Sequence, residues 1–204
     1  MGDSKKDYKA SLIIGAAAAA LSVIMVKNFG VTNPATYVLV AVMLLILPPV
    51  GIFVARLVGK KIVALYQFIK FAETGGLNTF VDLGVLNLLI LITGLSAGIY
   101  YSLFKGISFV SAVINSYFWN KHWVFESKEK GEAGEKEFAK FIMVSIGGFI
   151  VNVSAASLII YLAKGSSMES KTLANVAALI AFVLTMAWNF LGYKLVVFVK
   201  PKKK

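Results

Sequence analysis

No cysteine occurs in the 204 residues, which excludes a disulfide framework, a thiolate nucleophile and a Cys-based zinc cluster, and leaves the redox compartment unassigned. One histidine and ten acidic residues leave little for metal chemistry. Only Asp3, Asp7 and Asp82 are aspartates. They form no D-x-D pair of the kind a metal-nucleotide transferase needs, so the chain is not expected to be an enzyme, and no catalytic residue, metal or cofactor is assigned. What is abundant is apolar: 58% of the chain, more than one soluble core of this size can hide. The bilayer must then be the solvent. The net charge of +11 does not point to nucleic acid, because the lysines sit in short blocks beside apolar segments, where they serve as topology signals facing an anionic leaflet.

A hydrocarbon core about 30 Å thick needs about 20 apolar residues per helix. Six segments come close to that length: 10–27, 36–58, 77–98, 106–124, 139–163 and 173–198. Lys5, Lys6 and Lys9 precede the first, and Arg56, Lys60 and Lys61 follow the second. Lys128, Lys130, Lys136 and Lys140 lie after the fourth, and Lys200, Lys202, Lys203 and Lys204 after the sixth. The opposite loops hold only Lys27, Lys105, Lys164 and Lys171. The positive-inside rule places both termini in the cytoplasm of a cell whose cytoplasmic membrane the chain spans. A Lys-rich start before the apolar run at 12–26 also suits a signal peptide. A retained helix is favoured, since no clear small-x-small cleavage site follows.

Pro48 and Pro49 interrupt the second span, and a kink or break is expected near Leu47. Residues 60–73 alternate apolar and polar positions with helical spacing, with Lys60, Lys61, Gln67 and Lys70 on the polar side. That suits an amphipathic helix lying at the cytoplasmic interface, or equally a solvated connector. Residues 126–137 carry alternating charges and two glycines, with no apolar face. They predict a hydrophilic cytoplasmic linker, helical at most toward its end.

The chain repeats itself. SYFWNKHWVF at 116–125 is answered 73 residues later by NFLGYKLVVF at 189–198, so that Lys121 meets Lys194, Val124 meets Val197 and Phe125 meets Phe198. Upstream, Phe68-x-Lys70-Phe71 recurs at an offset of 70 as Phe138-x-Lys140-Phe141, and Asp82 falls opposite Asn152. The glycine pairs Gly75-Gly76 and Gly147-Gly148 open the copies and are expected to let helices approach closely. Each copy holds two spans, so the copies are parallel. The expected architecture is an all-α membrane protein of about six transmembrane helices, the last four a duplicated two-helix hairpin bundle. Residues 1–62 form an N-terminal helix pair and 63–204 a four-helix membrane domain, with repeats at 66–125 and 138–198 and the linker 126–137 between them.

Polar residues within spans are the site candidates, because an ionisable group in hydrocarbon costs roughly 2.5–3.5 kcal/mol on insertion scales and needs a partner or a task. Thr74, Asn78 and Asp82 share one helix face, as do Lys105, Ser108, Ser111 and Asn115. Ser145, Gly148 and Asn152 follow the same spacing, and so do Thr185, Asn189 and Tyr193. A polar groove of Asn78, Asp82, Asn115, Asn152 and Asn189 is one reading. Hydrogen bonding between packed helices is the other. Asp82 can alternatively offset Lys70 or Lys121, and Lys105 is expected to snorkel to the outer interface. Glu73 reads as interfacial, and Tyr117, Trp119, Trp123 and Tyr193 as an aromatic belt. Lys70, Lys121, Lys140 and Lys194 fall at cytoplasmic helix ends, where ammonium groups suit a lipid phosphate or simply flank the membrane.

These motifs resemble the GtrA-like family of small four-span membrane proteins over about residues 68–198. The stretch at 68–86 is similar to that family's opening, and both 116–125 and 189–198 to its hallmark end, Asn-Phe-x-x-Asn-Arg-x-Trp-Val-Phe. Ser116 replaces the first Asn, Val196 replaces Trp, and Lys121 and Lys194 stand where Arg is usual, which removes a bidentate fork for phosphate. The resemblance implies a role in cell-surface polysaccharide or glycan synthesis, as a translocase of polyprenyl-phosphate-linked sugar. In that role the four lysines would receive the phosphate, and the groove would pass the headgroup while the prenyl tail stays among membrane lipids. One bundle is small for a sugar headgroup, so a homo-oligomer such as a homodimer, or else a heteromer, is expected. The alternative is a membrane anchor or regulatory subunit for a polyprenyl-phosphate glycosyltransferase.

Overall fold

The computed structural model describes residues 3–163 and 170–199. Lys164, Lys200, Lys202, Lys203 and Lys204, and the side chain of Lys171, lie outside the described residues. Six long helices follow in order: α1 (Ser4–Asn28), α2 (Pro34–Gly59), α3 (Val63–Thr93), α4 (Gly98–Trp119), α5 (Gly131–Leu162) and α6 (Ser170–Gly192). Helices α4 and α6 each run on into a five-residue π turn, Asn120–Val124 and Tyr193–Val197. The chain is an all-α membrane protein. Five of the six long helices are apolar and long enough to cross a bilayer. The exception, α4, has 22 residues, about 33 Å at 1.5 Å per residue, but is made more polar by Lys105, Ser108, Ser111 and Asn115.

Two compact units form, Met1–Glu126 and Ser127–Lys204. In the first, α1 turns a stripe of small residues inward: Ala10, Ser11, Gly15, Ala18, Ala19 and Ser22 are buried, and α2 and α3 pack on them. Helix α2 runs through Pro48 and Pro49 without the expected break. Pro48 offers no amide to the Leu44 carbonyl one turn earlier. At that oxygen α1 places Gly15, where a Cβ would lie only 2.5 Å from it. The absence of a side chain there lets α1 approach the Leu44 carbonyl, one of the two that lose a helical donor to the proline pair.

The expected interfacial helix over 60–73 is not a separate element. Lys60 and Lys61 make the turn after α2, and from Val63 onward the segment is the first part of the 31-residue helix α3. Its Tyr66, Lys70, Phe71 and Thr74 are buried, so the face read as solvated is partly internal. At about 46 Å, α3 exceeds the hydrocarbon thickness by about three turns. Helix α3 ends on Gly94, whose φ of +71° is the left-handed conformation that closes a helix C-terminus.

In the second unit α5 begins at Gly131, so the latter half of the charged linker is helical. Its Glu137 is buried and accepts a hydrogen bond from Ser127 Oγ. Helices α5 and α6 pack through glycine. A Cβ on Gly147 would meet the Trp188 ring at 3.0 Å, one on Gly148 the Asn189 amide, and one on Gly192 the Val144 side chain at 2.5 Å. The close approach expected of Gly147-Gly148 is present. Gly75 and Gly76 are exposed, and a Cβ on either would meet nothing within 4 Å, so they do not serve that purpose within their own unit.

Candidate functional site

The strongest concentration of buried charge lies in the first unit, around Asp7. Its carboxylate has no exposed surface. Asp7 accepts from Arg56 Nη1 of α2 at 2.9 Å and from the Tyr66 hydroxyl of α3, and pairs with Lys70 Nζ of α3 at 3.0 Å. The indole Nε1 of Trp123, in the first π turn, donates to it at 3.2 Å. The Lys70 ammonium is itself buried, lies 5.0 Å from the ring centres of both Tyr66 and Trp123, and sits 3.9 Å from Glu126. One carboxylate therefore gathers two cations and two neutral donors from three other elements, which is how a buried charge becomes tolerable. Lys70, one of the four lysines expected to suit a lipid phosphate or to flank the membrane, meets a carboxylate of its own chain. Trp123, expected in an aromatic belt, is 2% exposed.

Farther along the α3–α4 hairpin, Asp82 pairs with Lys105 and accepts from Ser108 Oγ at 2.6 Å. Lys105 thus reaches across to the facing helix rather than snorkelling outward, and Asp82 is engaged there rather than with Lys70 or Lys121. One turn before Asp82, Asn78 accepts from Asn115 Nδ2 at 2.5 Å. Asn78 and Asp82 of the one polar stripe thus meet Lys105, Ser108 and Asn115 of the other within this hairpin. In the second unit Asn152 Nδ2 donates to Thr185 Oγ1 at 3.1 Å, so the residue opposite Asp82 in the repeat also reaches its partner helix. Asn189 packs against Gly148, and its Oδ1 is buried without a hydrogen-bond partner.

The hallmark ends of the repeat adopt one conformation. Phe125 N donates to Asn120 O at 2.9 Å and Phe198 N to Tyr193 O at 2.8 Å, each closing a π turn in which the helix takes one residue more per turn. Each turn carries its lysine over an aromatic ring four residues earlier: Lys121 lies 5.2 Å from the Tyr117 ring, with a hydrogen bond to its hydroxyl at 3.0 Å, and Lys194 lies 5.5 Å from the Phe190 ring. Lys121 is buried, Lys194 half-buried and Lys140 exposed. Tyr193, read as a belt residue, is buried, stacked on Phe141 at 4.5 Å and bonded to Ser145 at 2.7 Å.

Sequence reasoning gave no site role to Asp7, Arg56 or Glu73. Asp7 had a legible signal: Asp7, Ala10, Ser11, Gly15, Ala18 and Ser22 share one helical face, so the small-residue stripe of α1 extends back onto the carboxylate. Arg56 carried no such sign, since a basic residue near a helix end is what any topology signal looks like.

The family model described as GtrA/DPMS, transmembrane domain, matches residues 70–198. The "Uncharacterized membrane protein YngA" of Bacillus subtilis (strain 168) is 30% identical over 132 residues, covering 63% of this chain and 77% of that protein. No solved structure matches. The matched span starts at Lys70, takes in both hairpins and closes on Phe198, the residue that caps the second π turn; the chain belongs to the GtrA/DPMS transmembrane-domain family.

Proposed function

We propose that this integral membrane protein, whose family points to glycan biosynthesis, is a translocase of polyprenyl-phosphate-linked sugars. The observation that carries the reading is the Asp82–Lys105–Ser108 group within an apolar hairpin, matched in the repeat by Asn152–Thr185. Charge and amide groups at that depth are costly, and they offer a sugar hydroxyl the donors and acceptors it loses on leaving water. Each hairpin contributes its own polar line: Asn78, Asp82 and Asn115 in one, Asn152 and Asn189 in the other. Lys121, Lys140 and Lys194 are the phosphate-facing candidates, and Lys70 holds Asp7 in place. In this reading both termini face the cytoplasm across the cytoplasmic membrane, the chain acts as a homo-oligomer, and no bond is made or broken. The test is reconstitution of Asp82→Asn, and of Lys121→Gln with Lys194→Gln, into vesicles carrying polyprenyl-phosphate sugar. Both should slow the appearance of inner-leaflet sugar outside while leaving yield and folding unchanged. Rates equal to the parent's would remove these residues from the path.

A second reading has its own support. The polar groups of each hairpin are largely satisfied within it, as Asn115 by Asn78 and Lys105 by Asp82. Helices so satisfied suit an anchor or regulatory subunit for a polyprenyl-phosphate glycosyltransferase. Stoichiometric co-purification of such an enzyme, with no sugar movement by the chain alone, would favour it.

A further inference from the structure

Glu73 is unlike every other acid in the described chain. Both carboxyl oxygens are buried and neither has a hydrogen-bond partner. It follows Lys70 by three residues on α3, and its Oε1 lies where a Cβ on Gly51 of α2 would come within 2.6 Å, so the carboxyl is pressed against the bare backbone of the neighbouring helix. An ionised carboxylate left in such a place, with neither cation nor donor, costs several kcal/mol. A neutral carboxylic acid costs far less. The charged groups around it are already committed. On α1, Asp7 holds Lys70 of α3 and Arg56 of α2, and beyond the first π turn Glu126 lies 3.9 Å from both Lys70 and Lys6. Glu73 lies within Coulombic range of Asp7 and Lys70 but bonds to neither.

We propose that Glu73 is a proton-binding site, and that competition between Asp7 and Glu73 for the Lys70 ammonium decides whether the proton is held. With Lys70 on Asp7, as here, Glu73 keeps its proton. When Lys70 moves one turn along α3 to Glu73, the carboxyl gives its proton to water and becomes the ion-pair partner, while Asp7 stays satisfied by Arg56, Tyr66 and Trp123. Charge and protons balance with no other reactant. Asp7 and Arg56 both lie outside the matched 70–198 span, so α1 and α2 are the parts that build this site onto a lysine of the family domain. The proposal is independent of what the hairpins transport.

Infrared difference spectroscopy of the purified chain in lipid nanodiscs, stepped from neutral to alkaline pH, reads the site without any transport activity. Solvated carboxyls are already ionised at neutral pH and contribute no protonated-carboxyl C=O band. The parent should lose one such band on the alkaline step. Glu73→Gln should abolish that loss, and Asp82→Asn should retain it. Asp7→Asn, which releases Lys70, should remove the band at neutral pH. No band in the parent, or the same band in Glu73→Gln, overturns the site. A band persisting at neutral pH in folded Asp7→Asn overturns the competition. Should Asp7→Asn fail to fold, Lys70→Met decides it: the proton should then resist the alkaline step, and a band lost as readily as in the parent counts against it.

Discussion

Replacing Asp7 with alanine removes the acceptor that four side chains share. Arg56 is 23% exposed and can be rehydrated, so its loss contributes little. The Tyr66 hydroxyl and Trp123 indole are left without this acceptor at up to about 1–3 kcal/mol each, though groups sharing one acceptor do not add. Lys70 decides the outcome. Its ammonium is 1% exposed, and a buried charge stripped of its partner costs about 3–5 kcal/mol. Glu73, one turn away, can take over part of that role, so the expected loss lies at about 3 kcal/mol. Reversible unfolding of the purified chain in mixed detergent micelles titrated with sodium dodecyl sulfate measures it. Lys70→Met should cost less than Asp7→Ala, because Asp7 keeps three donors, and the double variant should be more stable than Asp7→Ala alone. A loss below about 0.5 kcal/mol for Asp7→Ala, within the range of ordinary surface substitutions, would refute the centre as drawn.

The glycine pairs should separate cleanly. Gly148→Val drives a side chain into the Asn189 amide and should destabilise the second unit by about 1–3 kcal/mol, whereas Gly75→Ala enters open space within its unit and should gain up to about 1 kcal/mol of helix propensity, both read by the same titration. Phe141→Ala removes a fully buried ring that stacks on Tyr193 and should cost about 3–5 kcal/mol, with the loss appearing as faster proteolysis after the second π turn. Lys105→Met strands Asp82 in the α3–α4 hairpin and should lower stability more than Asp82→Asn with Lys105→Met together, a difference of about 1 kcal/mol or more in a double-mutant cycle.

Which parts of this architecture could be read from the chain follows from what periodicity reports. A helix face is visible in its own residues, so the stripes through Asn78 and Asp82, and through Lys105, Ser108 and Asn115, were legible and do meet. The repeat was legible too, and the two π turns are its structural counterpart. A partner on a distant helix leaves no such trace. Asp7 and Trp123 are 116 residues apart, and each has an adequate local explanation, the one as a flank and the other as an interfacial aromatic. Lys70 misled for the same reason: helical spacing placed it on a polar face, and only the packing of α1 and α2 on α3 makes that face internal. Glu73 read as interfacial because nothing local distinguishes a buried carboxyl from an interfacial one. Proline signalled the loss of two helical amide donors in α2 correctly, but the helix continues, with the glycine of a neighbouring helix against one of the two carbonyls concerned.

The translocase reading is tested most directly by reconstituting the purified chain into vesicles loaded with a polyprenyl-phosphate sugar and timing how fast the inner-leaflet sugar becomes accessible to an external probe. The account predicts faster exposure than in protein-free vesicles, slowed by Asp82→Asn. Exposure no faster than in protein-free vesicles, from chain shown to be folded by its unfolding transition, would contradict it and leave the glycosyltransferase anchor standing.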